Sequence, residues 1–283
     1  ATLALARIHF YQGNMDDCLL NYKKIIDHNQ ANSKLWAAFL FTTNYTYKYN
    51  QKDYLNFCKK YSEKLEKFDE KIIKKFTYEI NPKKIRLGFF SADLRSHSVS
   101  KFIEETLKIL KKDNFEIIAF SNNNLGADDF TTERLKGIFH EWYDLIKLSD
   151  LDAVNLIREK KINILFDLTG YSTGNRCEIF KNKSAPLQIS WCGYCNSSGI
   201  KEMDYLIADK NLIKEEEDFN YTEKIIKLPK IWNSHFLISA EIEINELPAI
   251  KNKYVTFGSF NNYGKISNET IKTWSEILKN NNS

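Results

Sequence analysis

The stretch from Lys84 to Lys101, KIRLGFFSADLRSHSVSK, constrains the fold more than any other, because its pattern passes from strand to polar loop to helix in a single step. Ile85, Leu87, Phe89 and Phe90 make a short apolar run suited to a buried strand. Asn81-Pro82 just upstream marks a boundary where helix is disfavoured. The strand gives way to Ser91, Asp93, Arg95, Ser96, His97 and Ser98, after which Val99, Phe102, Ile103, Leu107 and Leu110 recur at helical spacing. These polar residues therefore lie at the carboxyl end of a strand and the amino end of a helix. In open α/β sheets ligands bind at that position. Free backbone N–H groups and the positive end of the helix dipole favour an anion there.

The same alternation continues downstream. Phe115 to Phe120 reads as a second strand, Ser121 to Asp129 as a polar loop and Thr131 to Gly137 as a short helix. Glu141 to Leu145 is a third strand, Asp150 to Lys160 a helix capped by Ser149 or Asp150, and Ile162 to Leu168 a fourth strand. Pro186 to Trp191, Met203 to Asp209 and Lys224 to Leu228 complete the set. Strands alternating with helices predict a parallel sheet covered on both faces, a Rossmann-like architecture. Two more polar stretches follow strands: Thr169 to Arg176, TGYSTGNR, and Gly193 to Gly199, GYCNSSG. Three polar loops on one sheet edge would make a cleft.

The residues before Asn81 read as helical. From Leu5 to Asn29 the apolar positions fall at helical spacing on either side of Gly13-Asn14, a helical hairpin. Gly13, Cys18 and Tyr22 match part of the tetratricopeptide pattern of roughly 34 residues, although Cys18 replaces the usual alanine and Gln30 the usual proline. An ordinary helical hairpin fits these residues equally. Trp36 to Asn44 and Tyr54 to Phe68 read as two further helices. At the other end, Glu241 to Asn252 is a polar linker, Tyr254 to Phe260 a strand, and Ser267 to Lys279 a helix. A chain that starts inside a helical pattern and stops after one β-α unit is expected to be a fragment of a longer protein.

Composition excludes several classes. With 283 residues, 43% of them hydrophobic, there is ample material for a core. A formal charge of +4 with no basic block argues against a nucleic-acid partner. No apolar run approaches the roughly 20 residues of a membrane span, so no membrane partner is expected and the default compartment is the cytoplasm. Five cysteines, an odd number without framework spacing, read as free thiols, and Cys192 and Cys195 lack the second pair that a zinc site needs. No GxGxxG follows the first strand, which disfavours a nicotinamide cofactor, and no GxxxxGK[ST] makes a P-loop. Asp167 could satisfy loop amides or touch a ligand, and Arg176 could bind a ligand or serve as an ion-pair partner. His235 remains open, while His9, His28 and His140 sit in helical or strand patterns and read as structural.

Five ordered segments, KIRLGFFSADLRSHSVSKF, ILFDLTGYSTGNRCEIF, APLQISWCGYCNSSG, MDYLIAD and FGSFNNYGKIS, following the helical hairpin, resemble the bacterial relatives of O-linked N-acetylglucosamine transferase. The plant SPINDLY type, which uses GDP-fucose, is a close relation. The resemblance covers the whole chain. It implies an α/β GT-B fold of two Rossmann-like lobes preceded by an all-α tetratricopeptide-like segment, and inverting transfer from UDP-GlcNAc to Ser or Thr of proteins. Residues 1–34 would be the tetratricopeptide-like hairpin, 35–82 a helical linker, 83–240 the N-terminal catalytic lobe, 241–252 a linker, and 253–283 the first β-α unit of the nucleotide-sugar-binding lobe. The chain alone would then be inactive.

Position by position, His97 and Asp93 match the family's SxDFxxHP motif, with Ser98 in place of its proline, and His97 is the histidine discussed there as a base. Lys265 matches the lysine on the donor phosphates, and Asn262 stands where animal enzymes have glutamine. Gly193, Tyr194, Ser198 and Gly199 match the GYPGTSG loop, in which Cys195-Asn196 replaces Pro-Gly. Gly170 and Tyr171 are assigned with them to the donor, and Asp167 and Arg176 to the acceptor cleft. A neutral imidazole suits acceptance of the hydroxyl proton and a fixed cation suits the departing diphosphate. No DxD-like acidic pair lies in a suitable loop, so no metal and no cofactor is expected. The partners expected are a nucleotide sugar and protein acceptors held by the helical segment. The rival readings are a GDP-fucose-dependent transferase and a repeat scaffold with a degenerate transferase domain.

Overall fold

The computed structural model describes residues 1–28, 31–76, 82–123, 128–235 and 243–281. Gln30 and Asn81, each singled out in the sequence, lie outside the described residues. In chain order the elements begin with helices α1 (Thr2–Tyr11), α2 (Met15–Asp27), α3 (Ser33–Thr43) and α4 (Gln51–Lys64). The alternating region comprises β1 (Ile85–Ser91), α5 (Ser98–Leu110), β2 (Phe115–Ser121), α6 (Phe130–Lys136), β3 (Glu141–Asp144), α7 (Asp150–Glu159), β4 (Ile164–Asp167), α8 (Cys177–Lys181), β5 (Leu187–Ser190), β6 (Tyr205–Asp209) and β7 (Lys224–Leu228). Helices α9 (Pro248–Asn252) and α10 (Asn268–Asn280) follow.

These elements form two compact units, one of Ala1–Ala31, Phe41–Tyr49 and Ile238–Ser283, the other of Asn32–Leu40 and Asn50–Leu237. In the first, α1 and α2 pack together as the expected hairpin, with Ala6, Met15, Cys18, Leu19 and Tyr22 buried. Helix α10 starts at Ser267, whose hydroxyl accepts from the Thr270 amide, an N-cap that removes one free N–H from the helix end. One expectation fails here: Tyr254 to Phe260, read as a strand, has no strand structure. The stretch expected as a linker contains helix α9, with Pro248 at its start. A strand needs a neighbour for its backbone N–H and C=O groups, and residues 253–281 contain no second strand to supply one.

The second unit is built on one seven-stranded parallel sheet in the order β3-β2-β1-β4-β5-β6-β7. Every strand expected in this region is present, most of them trimmed by a residue or two. β1 is flanked by β2 over Ile85↔Phe115 to Ser91↔Ser121, and by β4 over Leu87↔Ile164 to Phe90↔Asp167. Its apolar residues alternate between two covered faces. On one, Leu87 and Phe89 join Ile117 and Ala119 beneath Val99, Ile103 and Leu107 of α5, and the Phe89 and Phe166 rings stack at 4.9 Å. On the other, Phe90 meets Phe180 of α8 edge to face. Each fully buried side chain of this kind contributes about 1.5–3 kcal/mol. Towards the amino end, Arg86 bridges Glu116 of β2 and Glu141 of β3, so its charge is compensated across three strands.

Gly88 in β1 has no room for a side chain, because a Cβ there would stand 2.9 Å from both Ile162 Cγ2 and Leu165 Cδ1. Gly88→Val is therefore expected to lower stability by about 1–3 kcal/mol through overpacking. A shift of less than about half that in urea denaturation would show that the core yields.

Candidate active site at the carboxyl edge of the sheet

From β1 the chain moves through β2 to β3 on one side, then returns to place β4 to β7 on the other. Order thus reverses between β1 and β4, which makes their carboxyl ends the switch point of the sheet. Three loops meet there: residues 92–97 after β1, 168–176 after β4 and 191–199 after β5. The Ala92 amide donates to Thr169 Oγ1 at 3.1 Å, and the Asn122 side chain, from the end of β2, donates to the Gly174 carbonyl at 2.9 Å. Gly193 lies so close to the β4 loop that a Cβ would fall 1.8 Å from the Leu168 carbonyl oxygen. Gly170 has φ +55, and a Cβ there would strike Tyr194 Cβ at 2.2 Å. At both glycines the missing side chain lets one loop approach another.

In the first loop, the Asp93 amide donates to Ser91 Oγ at 2.9 Å and its carbonyl accepts from Ser100 Oγ at 2.7 Å. Its carboxylate receives Arg95 Nη2 on Oδ1 at 3.1 Å, and Oδ2 stands 3.7 Å from His97 Nδ1. His97 is the N-cap of α5: its Nδ1 accepts the Val99 amide at 3.3 Å. The imidazole is 38% exposed, and among the described residues Nε2 has no hydrogen-bond partner. His97, Asp93 and Arg95 thus form one charged cluster at the helix start.

Asp167 ends β4 and is buried, with Oδ1 accepting the Thr169 and Gly170 amides at 2.9 and 3.1 Å. Burial pushes its carboxyl up to about 6, against the lowering effect of those two amides. Arg176 is turned into the protein: it donates to Asp150 Oδ1 at 2.6 Å and to the Leu145 and Leu148 carbonyls at 3.0 Å each. This is the ion-pair arrangement of the two that the sequence allowed.

The donor residues expected in the β5 loop are also held internally. Tyr171 donates to the Ser198 carbonyl, and burial drives its hydroxyl well above the ordinary tyrosine value. Tyr194 shares a hydroxyl contact of 2.9 Å with Tyr54 of α4, and Tyr54 also donates to the Ser197 carbonyl at 2.7 Å. Buried Glu223 accepts the Ser198 amide at 2.8 Å, the Ser198 hydroxyl, and the Ser197 hydroxyl at 2.7 Å. Neither Tyr54 nor Glu223 stands out in the sequence. The signal for Tyr54 was a tyrosine on the buried stripe of a helix, where its hydroxyl needs a partner. Glu223 lies in no motif.

Asn262 and Lys265 lie in the other compact unit, both exposed. Asn262 Oδ1 accepts the Gly264 amide at 2.9 Å, fixing the 3-10 turn Tyr263–Lys265. The ring of His235 packs edge-on against Phe102. His140 Nδ1 accepts the Ile117 amide at 3.1 Å, a structural bond at the edge of β2. The five cysteines are free thiols. Among the described residues no group of three His, Cys, Asp or Glu side chains could hold a metal ion, and no helix is long and apolar enough to cross a membrane.

The model of Glycosyl transferase family 41 matches residues 55–244, from within α4 past the last strand of the sheet. The chain belongs to glycosyl transferase family 41. This family 41 chain is 30% identical over 216 residues to the probable UDP-N-acetylglucosamine--peptide N-acetylglucosaminyltransferase SPINDLY of Oryza sativa subsp. japonica, covering 74% of this chain and 23% of that protein. It is 31% identical over 199 residues to the SPINDLY protein of Solanum lycopersicum, covering 68% and 21%. With the protein of the same enzyme description named SEC in Arabidopsis thaliana it shares 28% over 208 residues, covering 70% and 21%. It spans less than a quarter of the length of these curated relatives. A mutant O-GlcNAc transferase of Thermobaculum terrenum superposes with a TM-score of 0.84 at 22% identity, covering 99% of this chain and 52% of that one. The fold is accordingly that of a GT-B glycosyltransferase, with the parallel sheet as its Rossmann-like N-terminal lobe and helices before it.

Two outcomes follow for this family 41 edge. Gly193→Ala should cost about 3 kcal/mol, since backbone must move to relieve the clash with Leu168; an unchanged denaturation midpoint would show that the loops are not interlocked. Asp167 holds its proton more tightly folded, at about 6, than an unfolded aspartate, at about 3.9. Its ionisation therefore removes stability as pH rises from about 4 to about 6, and the full cost persists above that. Asp167→Asn should be more stable than the parent at pH 8 by up to about 3 kcal/mol, with no gain at pH 4. An equal effect at both pH values, in urea titrations, would contradict the burial argument.

Proposed function

We propose that this chain carries the acceptor-side lobe of an inverting protein O-glycosyltransferase, moving N-acetylglucosamine from UDP-GlcNAc to Ser or Thr hydroxyls. The observation that supports it best is the partly exposed His97 imidazole at the switch edge of a family 41 sheet. The names of the SPINDLY and SEC relatives, which contain UDP-N-acetylglucosamine and a peptide, favour this donor over GDP-fucose.

In such a transfer the hydroxyl oxygen attacks the anomeric carbon from the face opposite the diphosphate. The C–O bond to the diphosphate breaks with its electron pair leaving on the phosphate, and the hydroxyl proton is taken up by a base. His97 is assigned that proton or the orientation of the hydroxyl. The resemblance of FGSFNNYGKIS assigns the charge of the leaving group to Lys265, a fixed cation acting where charge develops. The reading includes no metal and no cofactor, places the protein in the cytoplasm, and gives the helical segment the task of holding protein acceptors. Turnover is assigned to the complete protein.

The test is transfer of radiolabelled sugar to a protein acceptor by the product of the complete reading frame. Label is expected from UDP-GlcNAc and not from GDP-fucose, with no change on adding EDTA. His97→Ala is expected to lower kcat roughly 100- to 10,000-fold while circular dichroism is unchanged. Label from GDP-fucose alone would reassign the donor. No transfer from either donor, with a biological role that survives His97→Ala, would favour a scaffold.

A further inference from the structure

Among the described residues the carboxylate of Asp93 accepts no backbone amide; it meets side chains. The residue's own place in the loop is fixed by its backbone, through Ser91 Oγ and Ser100 Oγ. The side chain is only 10% exposed, yet its partners are Arg95 on one oxygen and, at 3.7 Å on the other, His97 Nδ1. The Arg95 guanidinium carries a permanent charge, so it anchors Oδ1 and leaves Oδ2 for the imidazole.

His97 Nδ1 faces two competitors of opposite kind. The Val99 amide donates to it at 3.3 Å, which requires a lone pair on Nδ1 and, in the neutral ring, the proton on Nε2. An imidazole held in that form presents an N–H at Nε2 and cannot take a proton there. The opposite tautomer carries its proton on Nδ1, and Asp93 Oδ2 is the carboxylate beside it. Closing 3.7 Å to the roughly 2.8 Å of a charge-assisted hydrogen bond requires a movement of about 1 Å. Val99 N–H would then turn to water, as free amides of a helix's first turn do.

We propose that Asp93 is the positioning residue that selects the tautomer of His97, drawing Nδ1 off the helix cap so that Nε2 becomes a proton acceptor. The exchange is neutral: one proton leaves Nε2 to solvent and another is delivered to Nδ1. When the acceptor hydroxyl reacts, its O–H bond breaks, the proton forms a new Nε2–H bond, and the oxygen's electron pair forms the bond to the sugar. The imidazolium so produced faces the Asp93 carboxylate. This step rests on the transferase reading, whereas the tautomer preference does not.

The experiment is nitrogen NMR of the complete protein labelled with ¹⁵N-histidine, with His97 assigned by the signal lost in His97→Gln. The neutral ring's nitrogen shifts give the ratio of Nδ1–H to Nε2–H forms. Asp93→Ala is expected to lower that ratio at least about tenfold, the scale set by loss of one hydrogen bond to a charged group. Asp93→Asn, isosteric and with a neutral acceptor oxygen, should lower it less, and serves if the alanine variant does not fold. In the transfer assay kcat should fall with KM unchanged. A ratio unaltered in both variants overturns the assignment, even if transfer is intact. A ratio that shifts in a protein without any transferase activity upholds Asp93 as the tautomer-selecting residue and removes the transferase reading instead.

Discussion

The candidate site depends on β1 being paired on both sides. Its register with β2 and with β4 brings Ser91 level with Ser121 and Phe90 level with Asp167, so three strands end together and release their loops at one place. A strand paired in parallel on both edges is covered on both faces, which is why β1 carries no charged or polar side chain from Leu87 to Phe90, where both neighbours pair with it. The reversal of strand order at this pair makes their shared end the switch point of the sheet. Without the double pairing there would be no common edge for Asp93, His97, Thr169 and Gly193 to share.

Two aspartates at this edge illustrate how the ends of adjacent strands can differ. Asp93 meets two side chains, a guanidinium and an imidazole, and keeps its backbone bonds separate from them. Asp167 meets only amides in a buried setting and holds its proton to about 6. Burial, rather than residue type, sets what Asp167 can do with a proton.

Much of this was legible in the residues. The passage from IRLGFF to a polar loop to a helical apolar stripe marks β1, its loop and α5, because alternation and capping are local properties. The clustering of the three polar loops followed from the strand-helix alternation alone. What the sequence could not disclose are partnerships between distant positions. Tyr54 and Tyr194 are 140 residues apart, and Ser198 and Glu223 belong to no shared pattern. Strand formation is likewise a property of pairs. Tyr254 to Phe260 has the composition of a strand and no neighbour among the described residues to make it one. Glycines mislead in a related way: close approach can be deduced from Gly170 and Gly193, but whether a ligand or another loop approaches cannot.

Tyr54 ties helix α4 to Tyr194 and the Ser197 carbonyl of the β5 loop within one compact unit, and the Trp36 ring of α3 stacks with Tyr61 of α4 in the same unit. The last helices before the sheet are thus part of the lobe's own body. Anyone exchanging helical segments between family members would have to place the junction before residue 32. A graft cut between α4 and β1 would leave the hydroxyls of buried Tyr54 and half-buried Tyr194, and the Ser197 carbonyl, without the partners they were shaped against.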